Sequence, residues 1–353
     1  MKIKTLRFSL YILVLLVAFI SCEEDDRPTG TFEERDRTEQ QVADKESLLT
    51  YLTTHYYNSS FFESGSNHKY TDIVITELEQ DEDGNYIDMP NPELNTLLID
   101  AVETYTLEYL ETEYEYYILR LNQGGGEAPK FTDSIRVNYE GSSVDDGEVF
   151  DSRITPIDLP LVGNGFTTFG TIKAWQLVMP SFNCAIDFVI DGNGNVNYDN
   201  FGLGVMFVPS GLAYFSGTNT GSSYDNLIFK FELLQYEEQD HDNDGIPSYL
   251  EDLDGDLDVF NDNTDGDNLP NYIDSDDDGD GVPTINELVQ TIYTVDTNVG
   301  DEEPMLVENE YELSRSTSSS GVITITTVKA LDINSNGVLD YLDDTISNDY
   351  NEG

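Results

Sequence analysis

The residues best suited to chemistry lie toward the end of the chain, and they are oxygen donors. From Phe231 to Ser314 there is no Lys or Arg, while acids recur at alternate positions. Asp240, Asp242, Asp244, Gly245, Ile246, Ser248 and Glu251 match positions 1, 3, 5, 6, 7, 9 and 12 of a calcium loop. Asp276, Asp278, Asp280, Gly281, Val282, Thr284 and Glu287 repeat the spacing, and Asp332, Asn334, Asn336, Gly337, Val338, Asp340 and Asp343 repeat it again. Asn263, Asp265, Asp267, Asn271 and Asp274 form a weaker copy, with Asn268 where the glycine belongs. Calcium needs six to eight oxygens, so alternate carboxylates, a turn-forming glycine and a backbone carbonyl at Ile246, Val282 or Val338 suit it. An acidic run is often only a solvated linker. Recurrent spacing argues instead for structural calcium as a cofactor.

The flanks of these loops are not long amphipathic helices, which argues against paired EF-hands. Ile246-Pro247-Ser248-Tyr249-Leu250 is echoed by Leu269-Pro270-Asn271-Tyr272-Ile273. These short units resemble thrombospondin type 3 repeats, and the resemblance implies a calcium-bound, semi-rigid stalk over residues 238–290. Residues 291–353 read as a β-rich segment with a further calcium loop and a strand pair at Glu308–Ser314 and Gly321–Lys329.

Residues 113–237 have a different character. Tyr117–Leu121, Ile135–Gly141, Val205–Pro209 and Leu227–Leu234 read as strands, and Ile172–Val178, with the only Trp, reads as a short helix. This is an α+β pattern of an antiparallel sheet with one helix on a face. The pieces Val137-Asn138-Tyr139-Glu140-Gly141, Gly147-Glu148-Val149-Phe150-Asp151-Ser152, Ile172-Lys173-Ala174-Trp175, Pro209-Ser210-Gly211-Leu212-Ala213-Tyr214 and Leu227–Leu234 occur in that order. Together they resemble an FKBP-type peptidyl-prolyl isomerase. The resemblance implies an FKBP-like sheet wrapped on the short helix, with Trp175 as pocket floor and Tyr139, Phe150 and Phe229 as walls. It further implies Asp151 as the carboxylate inside, Tyr214 as hydroxyl donor, Ile172 as backbone N–H donor, and no cofactor for catalysis. Leu159 stands where the family carries an aromatic wall. Ser181–Leu203 inserts extra residues; its Asp191–Asn195 turn reads as a hairpin in preference to a cation loop. Ser216–Asn226 is a Gly/Ser/Thr-rich loop expected at the pocket rim.

The beginning of the chain reads as an address. Lys2, Lys4 and Arg7 precede an apolar run at Leu10–Ile20, as in a signal peptide over residues 1–21. Phe19-Ile20-Ser21-Cys22 resembles a bacterial lipobox, with Cys22 the lipidated residue, and Glu23–Asp26 resembles the surface-export signal of Bacteroidetes lipoproteins. An acidic tether follows over 22–41. A mixed N-terminal element spans 42–112, with helices expected at Val42–Tyr57 (Asp44 or Ser47 as caps) and Pro92–Tyr109, and a β-rich stretch at Asp72–Leu78. The formal charge of −54, from 70 acids against 16 bases, excludes nucleic acid as a partner. Two cysteines exclude a disulfide framework, and Cys184 reads as a buried apolar residue.

These features together imply an outer-membrane lipoprotein facing the cell surface. It would isomerise prolyl bonds in client polypeptides that are secreted or bound for the outer membrane. The alternative is a non-catalytic docking subunit of an outer-membrane protein assembly. A calcium-dependent adhesin is the third reading. Surface display has a direct test: protease applied to intact cells should remove the protein, and full protection would place it inside.

Overall fold

The computed structural model describes residues 33–351, and from Arg37 onward the chain forms one compact unit. The signal peptide, Cys22 and Glu23–Asp26 lie outside the described residues. Helix α1 (Arg37–Thr54) opens the unit. It begins within the stretch read as tether, and it stops before Tyr56, so Asp44 and Ser47 lie inside it and cap nothing. A small sheet follows, in the order β2-β1-β3, from β1 (His55–Tyr57), β2 (Ile75–Glu77) and β3 (Thr96–Leu97).

The second helix expected before Tyr109 is a strand, β4 (Glu103–Tyr109). Tyr105, Leu107 and Tyr109 turn inward while Thr104, Thr106 and Glu108 turn out, a period of two that no helix can bury. After it come β5 (Thr112–Asn122), β6 (Ser134–Ser143), β7 (Val149–Pro160) and helix α2 (Lys173–Val178). The inserted segment is the hairpin β8 (Asp187–Ile190) and β9 (Val196–Asp199), as expected. Then come β10 (Gly202–Val208) and β11 (Leu227–Glu237). The central sheet has six antiparallel strands in the order β4-β5-β10-β11-β6-β7.

This sheet is covered on both faces, and its strands carry two apolar sets. Tyr114, Tyr116 and Ile118 of β5, Met206 and Val208 of β10, and Phe229, Phe231 and Leu233 of β11 pack with Trp175 and Val178 of α2. The alternate residues Tyr117, Leu119, Val205, Phe207 and Ile228 pack with Leu48 and Leu52 of α1. Strand β10 is therefore buried along its whole length, which explains its unbroken apolar sequence. Two buried carboxylates tie the N-terminal element to this sheet. Asp44 Oδ2 accepts the Ser210 hydroxyl at 2.6 Å and its N–H at 3.0 Å. Glu232 accepts the Tyr70 N–H and the Asn138 amide, each at 2.9 Å.

The acidic region is not a free stalk. It lies against the segments that precede β6 and α2, with Val259 and Tyr272 packed on Phe131 and Val162. The Tyr272 hydroxyl donates to Gly163 O at 3.0 Å, His241 Nε2 meets Val162 O at 3.2 Å, and Lys173 donates to Leu257 O. A second sheet, in the order β12-β14-β13, follows from β12 (Val289–Asp296), β13 (Glu310–Thr317) and β14 (Val322–Lys329). The expected strand pair is present, and β12 is an addition. Ile246 and Leu288 share a core with Val328, Ala330 and Tyr341, so repeats and sheet bury one another. Apolar side chains within the acidic repeats need cover, and the neighbouring sheets supply it. Among the described residues no helix is long and apolar enough to cross a membrane.

Replacing Asp44 with Ala removes the acceptor that joins α1 to the Ser210 turn. Denaturant unfolding should show a loss of about 2 kcal/mol, because buried donors are left without their acceptor.

Candidate functional site

Four aromatic side chains meet over one end of the sheet. Trp175, from α2, stands 5.3 Å from Phe229 of β11 and 5.4 Å from Tyr139 of β6, both edge-on. Phe150 of β7 meets Phe229 edge-on at 5.6 Å. Edge-to-face geometry is the favoured contact between rings and keeps each from sliding over the next. Gly141 makes the approach possible: a Cβ there would lie 2.6 Å from Phe229 and 2.8 Å from Phe150. Trp175 is 3% exposed and Phe229 2%, so both rings are buried.

Asp151 is the carboxylate at this site. Its Oδ2 accepts the Tyr139 hydroxyl at 2.5 Å, and Arg153 donates to its Oδ1. Arg153 was not anticipated, although it lies two residues along β7 and therefore on the same side. Burial, then the Asp151 hydrogen bond, pushes the Tyr139 hydroxyl well above its usual range. Tyr214 is raised too, by burial and by the nearby Asp151 charge. Tyr214, Ile172 and Leu159 border the same core. Ile172 precedes α2 in extended conformation, so its N–H lies at the start of the helix and is not used within it. Leu159 pairs with Ile135, farther along β7 from Asp151. Cys184 is buried, and burial pushes its thiol up to about 12, which makes it inert.

The acidic loops share one internal construction. In the repeats beginning at Asp240, Asn263, Asp276 and Asp332, the N–H at position 9 donates to the carbonyl just before position 1: Ser248 to Gln239, Asn271 to Asp262, Thr284 to Ser275, Asp340 to Leu331. Position 4 has left-handed backbone in all four, at Asn243, Gly266, Gly279 and Ser335. Position 5 accepts the position 7 N–H, as with Asp244 from Ile246 and Asp280 from Val282, both at 2.8 Å. The carboxylates are thus aimed by the backbone.

Three expected sets converge. Asp240, Asp242 and Asp244 bring carboxylate oxygens within 4.8 Å of one another, as do Asp276, Asp278 and Asp280, and Asp265, Asp267 and Asp274. Buried oxygens on Asp242, Asp244, Glu251, Asp276, Asp278, Asp280 and Glu287 have no hydrogen-bond partner among the described residues. Burial first, then neighbouring carboxylates, pushes Asp242 up to about 9 and Glu287 up to about 8. A hard divalent cation with oxygen preference fits such a donor set. The third loop differs. Asn334 and Asn336 amides donate to Asp343 at 2.9 and 2.8 Å, and the Thr345 hydroxyl with these amides holds it down to about 2. The Asn263 amide likewise turns to Asp267 O, at 3.4 Å.

A further repeat escaped the sequence reading. Asp252, Asp254 and Asp256 also bring their oxygens within 4.8 Å. Gly255 holds its position 4, at φ 78°, and Leu257 its position 6, at φ 65°. Leu in place of the expected glycine concealed the spacing.

Residues 241–314 match the family model described as BamM C-terminal, about a fifth of the chain. No curated protein sequence matches. Among solved structures, the chain is similar to a peptidyl-prolyl cis-trans isomerase from Pseudomonas syringae pv. tomato, with 18% identity, TM-score 0.27, and coverage of 35% of this chain and 76% of that one. It is similar to FkpA from Escherichia coli, with 24% identity and TM-score 0.28, covering 39% of this chain and 52% of that chain, about half its length. The N-terminal domain of FKBP42 from Arabidopsis thaliana gives 13% identity and TM-score 0.28, covering 38% of this chain and 93% of that one.

Gly141→Val should push Phe150 and Phe229 away from β6. Trp175 is the only Trp, so its fluorescence reports the change. The emission should move to longer wavelength as water reaches the ring; an unchanged spectrum would show that the aromatic set does not depend on Gly141.

Proposed function

We propose that the protein is a peptidyl-prolyl cis-trans isomerase of the FKBP type, anchored to the outer membrane through lipid on Cys22 and facing the cell surface. The observation that carries this reading is the convergence of Tyr139, Phe150, Trp175 and Phe229 on one another, with Asp151 bonded to Tyr139. Rotation about a prolyl bond crosses a barrier near ~20 kcal/mol, because the planar amide loses resonance as it twists. No nucleophile is required. An aromatic cavity strips water from the amide and favours the twisted, less charge-separated form. Trp175 and Phe229 supply the apolar seat for the proline ring. The Ile172 N–H and the Tyr214 hydroxyl donate to substrate carbonyls, and donors that fit the twisted amide best lower the barrier. Asp151, held by Tyr139 and Arg153, fixes the Tyr139 ring as a wall. Leu159 leaves that side wider than an aromatic would. Clients are proline-containing chains that are secreted or bound for the outer membrane.

Calcium is the proposed structural cofactor of the acidic repeats. Ligands are Asp240, Asp242, Asp244, Glu251 and the Ile246 carbonyl in the first loop. Asp276, Asp278, Asp280, Glu287 and the Val282 carbonyl serve the second. The copy at Asn263, Asp265, Asp267 and Asp274 and the loop at Asp332, Asn334, Asn336, Asp343 and the Val338 carbonyl are weaker, because Asn amides occupy part of the space. The unpartnered buried oxygens support this reading.

A second functional reading is a docking subunit of an outer-membrane assembly. The BamM C-terminal match over residues 241–314 favours it.

The test is an Xaa-Pro isomerisation assay on residues 23–353 in calcium, with and without tacrolimus. Inhibitable activity that falls about tenfold or more in Asp151→Ala and Trp175→Ala is expected. Absence of activity in a folded, calcium-loaded protein would overturn the enzymatic reading and favour docking. Chelator should lower the melting temperature, and no response would sink the calcium reading.

A further inference from the structure

Asp277 holds none of the ligand positions of its own loop. It stands at position 2 of the 276–287 repeat, between Asp276 and Asp278. The turn at Asp276–Gly279 brings Asp276, Asp278 and Asp280 oxygens together and leaves Asp277 outside that group. The Thr284 hydroxyl donates to Asp277 Oδ2 at 3.1 Å, while Oδ1 has no partner among the described residues. The equivalent residues in other repeats are His241, Leu253, Thr264 and Ile333, and none of them is an acid.

The side on which Asp277 lies belongs to another repeat. Asp244, Glu251 and Asp277 bring carboxylate oxygens within 4.8 Å of one another, and each residue is 1% exposed. Asp244 Oδ2 and both oxygens of Glu251 are also unpartnered among the described residues. None of the three forms an ion pair among those residues. Three carboxylates cannot share so dry a space while charged unless a cation lies between them.

We propose that Asp277 ligates a calcium ion together with Asp244 and Glu251, so that a single ion is held by two repeats. The proposal rests on the calcium reading of the tail and adds a ligand that no single loop contains. Oxygens within 4.8 Å of one another can share one calcium ion, whose ligands at about 2.3–2.6 Å lie no more than roughly 5.2 Å apart. The Asp252 and Asn263 copies lie between the two repeats in sequence. The ion therefore closes that stretch into a loop and fastens its ends.

Calcium titration of residues 23–353 by calorimetry tests this, using Asp277→Asn, Glu251→Gln, Glu287→Gln and their pairs. Asp277→Asn should weaken one ion by about tenfold or more. Paired with Glu251→Gln, its effect should be smaller than the sum of the single losses, because both ligands serve one ion; paired with Glu287→Gln, the losses should add. Wild-type titration by Asp277→Asn, or additivity with Glu251→Gln, would overturn the shared site while leaving the loops intact. A wild-type chain that takes up no calcium would remove the calcium reading itself, and this proposal with it. Should the variant not fold, anomalous diffraction from calcium-soaked wild-type crystals decides. An ion touching Asp244, Glu251 and Asp277 supports the proposal, and ions bound only within single repeats overturn it.

Discussion

A carboxylate removed from water must find hydrogen-bond donors, a cationic side chain or a metal ion. This chain, with 70 acids, meets that demand differently in each part. Glu103, still half-exposed to water, pairs with Arg120 across β4 and β5, at 3.0 and 2.8 Å, at the edge of the central sheet. Asp44 takes neutral donors, Glu232 takes two neutral donors and the Lys69 ammonium at 3.5 Å, and both join the N-terminal element to the sheet. Asp151 takes one hydroxyl and one guanidinium at the aromatic site. In the acidic repeats the backbone satisfies one oxygen of many side chains and leaves the other unpaired.

Much of the central sheet was legible because its strands alternate cleanly. Tyr114, Tyr116 and Ile118 face one core while Tyr117 and Leu119 face the other, and β6 and β11 follow the same rule. The segment before Tyr109 was misread because Leu94, Leu97, Leu98, Ala101 and Val102 give a helix-like spacing. The alternation that matters begins only at Glu103. The start of α1 was missed for a related reason. Arg37, Gln40 and Gln41 are polar, yet Gln40 and Gln41 are buried, where hydropathy alone does not look. Strand β12 is half exposed and pairs only with β14, so its pattern is weak.

The candidate site divides in the same way. The aromatic residues and Asp151 could be named from ordered short pieces of sequence, and the structure brings the rings together. Arg153 was hidden because Arg two residues from Asp is unremarkable until both are known to lie on one strand. Asp277 was hidden because spacing within a loop says nothing about which loop a neighbouring side chain faces. Leu257 concealed its repeat because a left-handed Leu goes against the steric rule by which glycine is sought.

The packing of Val259 and Tyr272 onto Phe131 and Val162 bears on how this protein could have been assembled from parts. A module that is exchanged between proteins ordinarily carries its own cover and can be cut at a linker. Here a cut after β11 would expose Phe131 and Val162 and remove the partner of Lys173 at the first turn of the Trp175 helix. The two halves have therefore adapted to each other. Inheritance, truncation and recombination must treat them as a single unit, even though their compositions look like those of separate proteins.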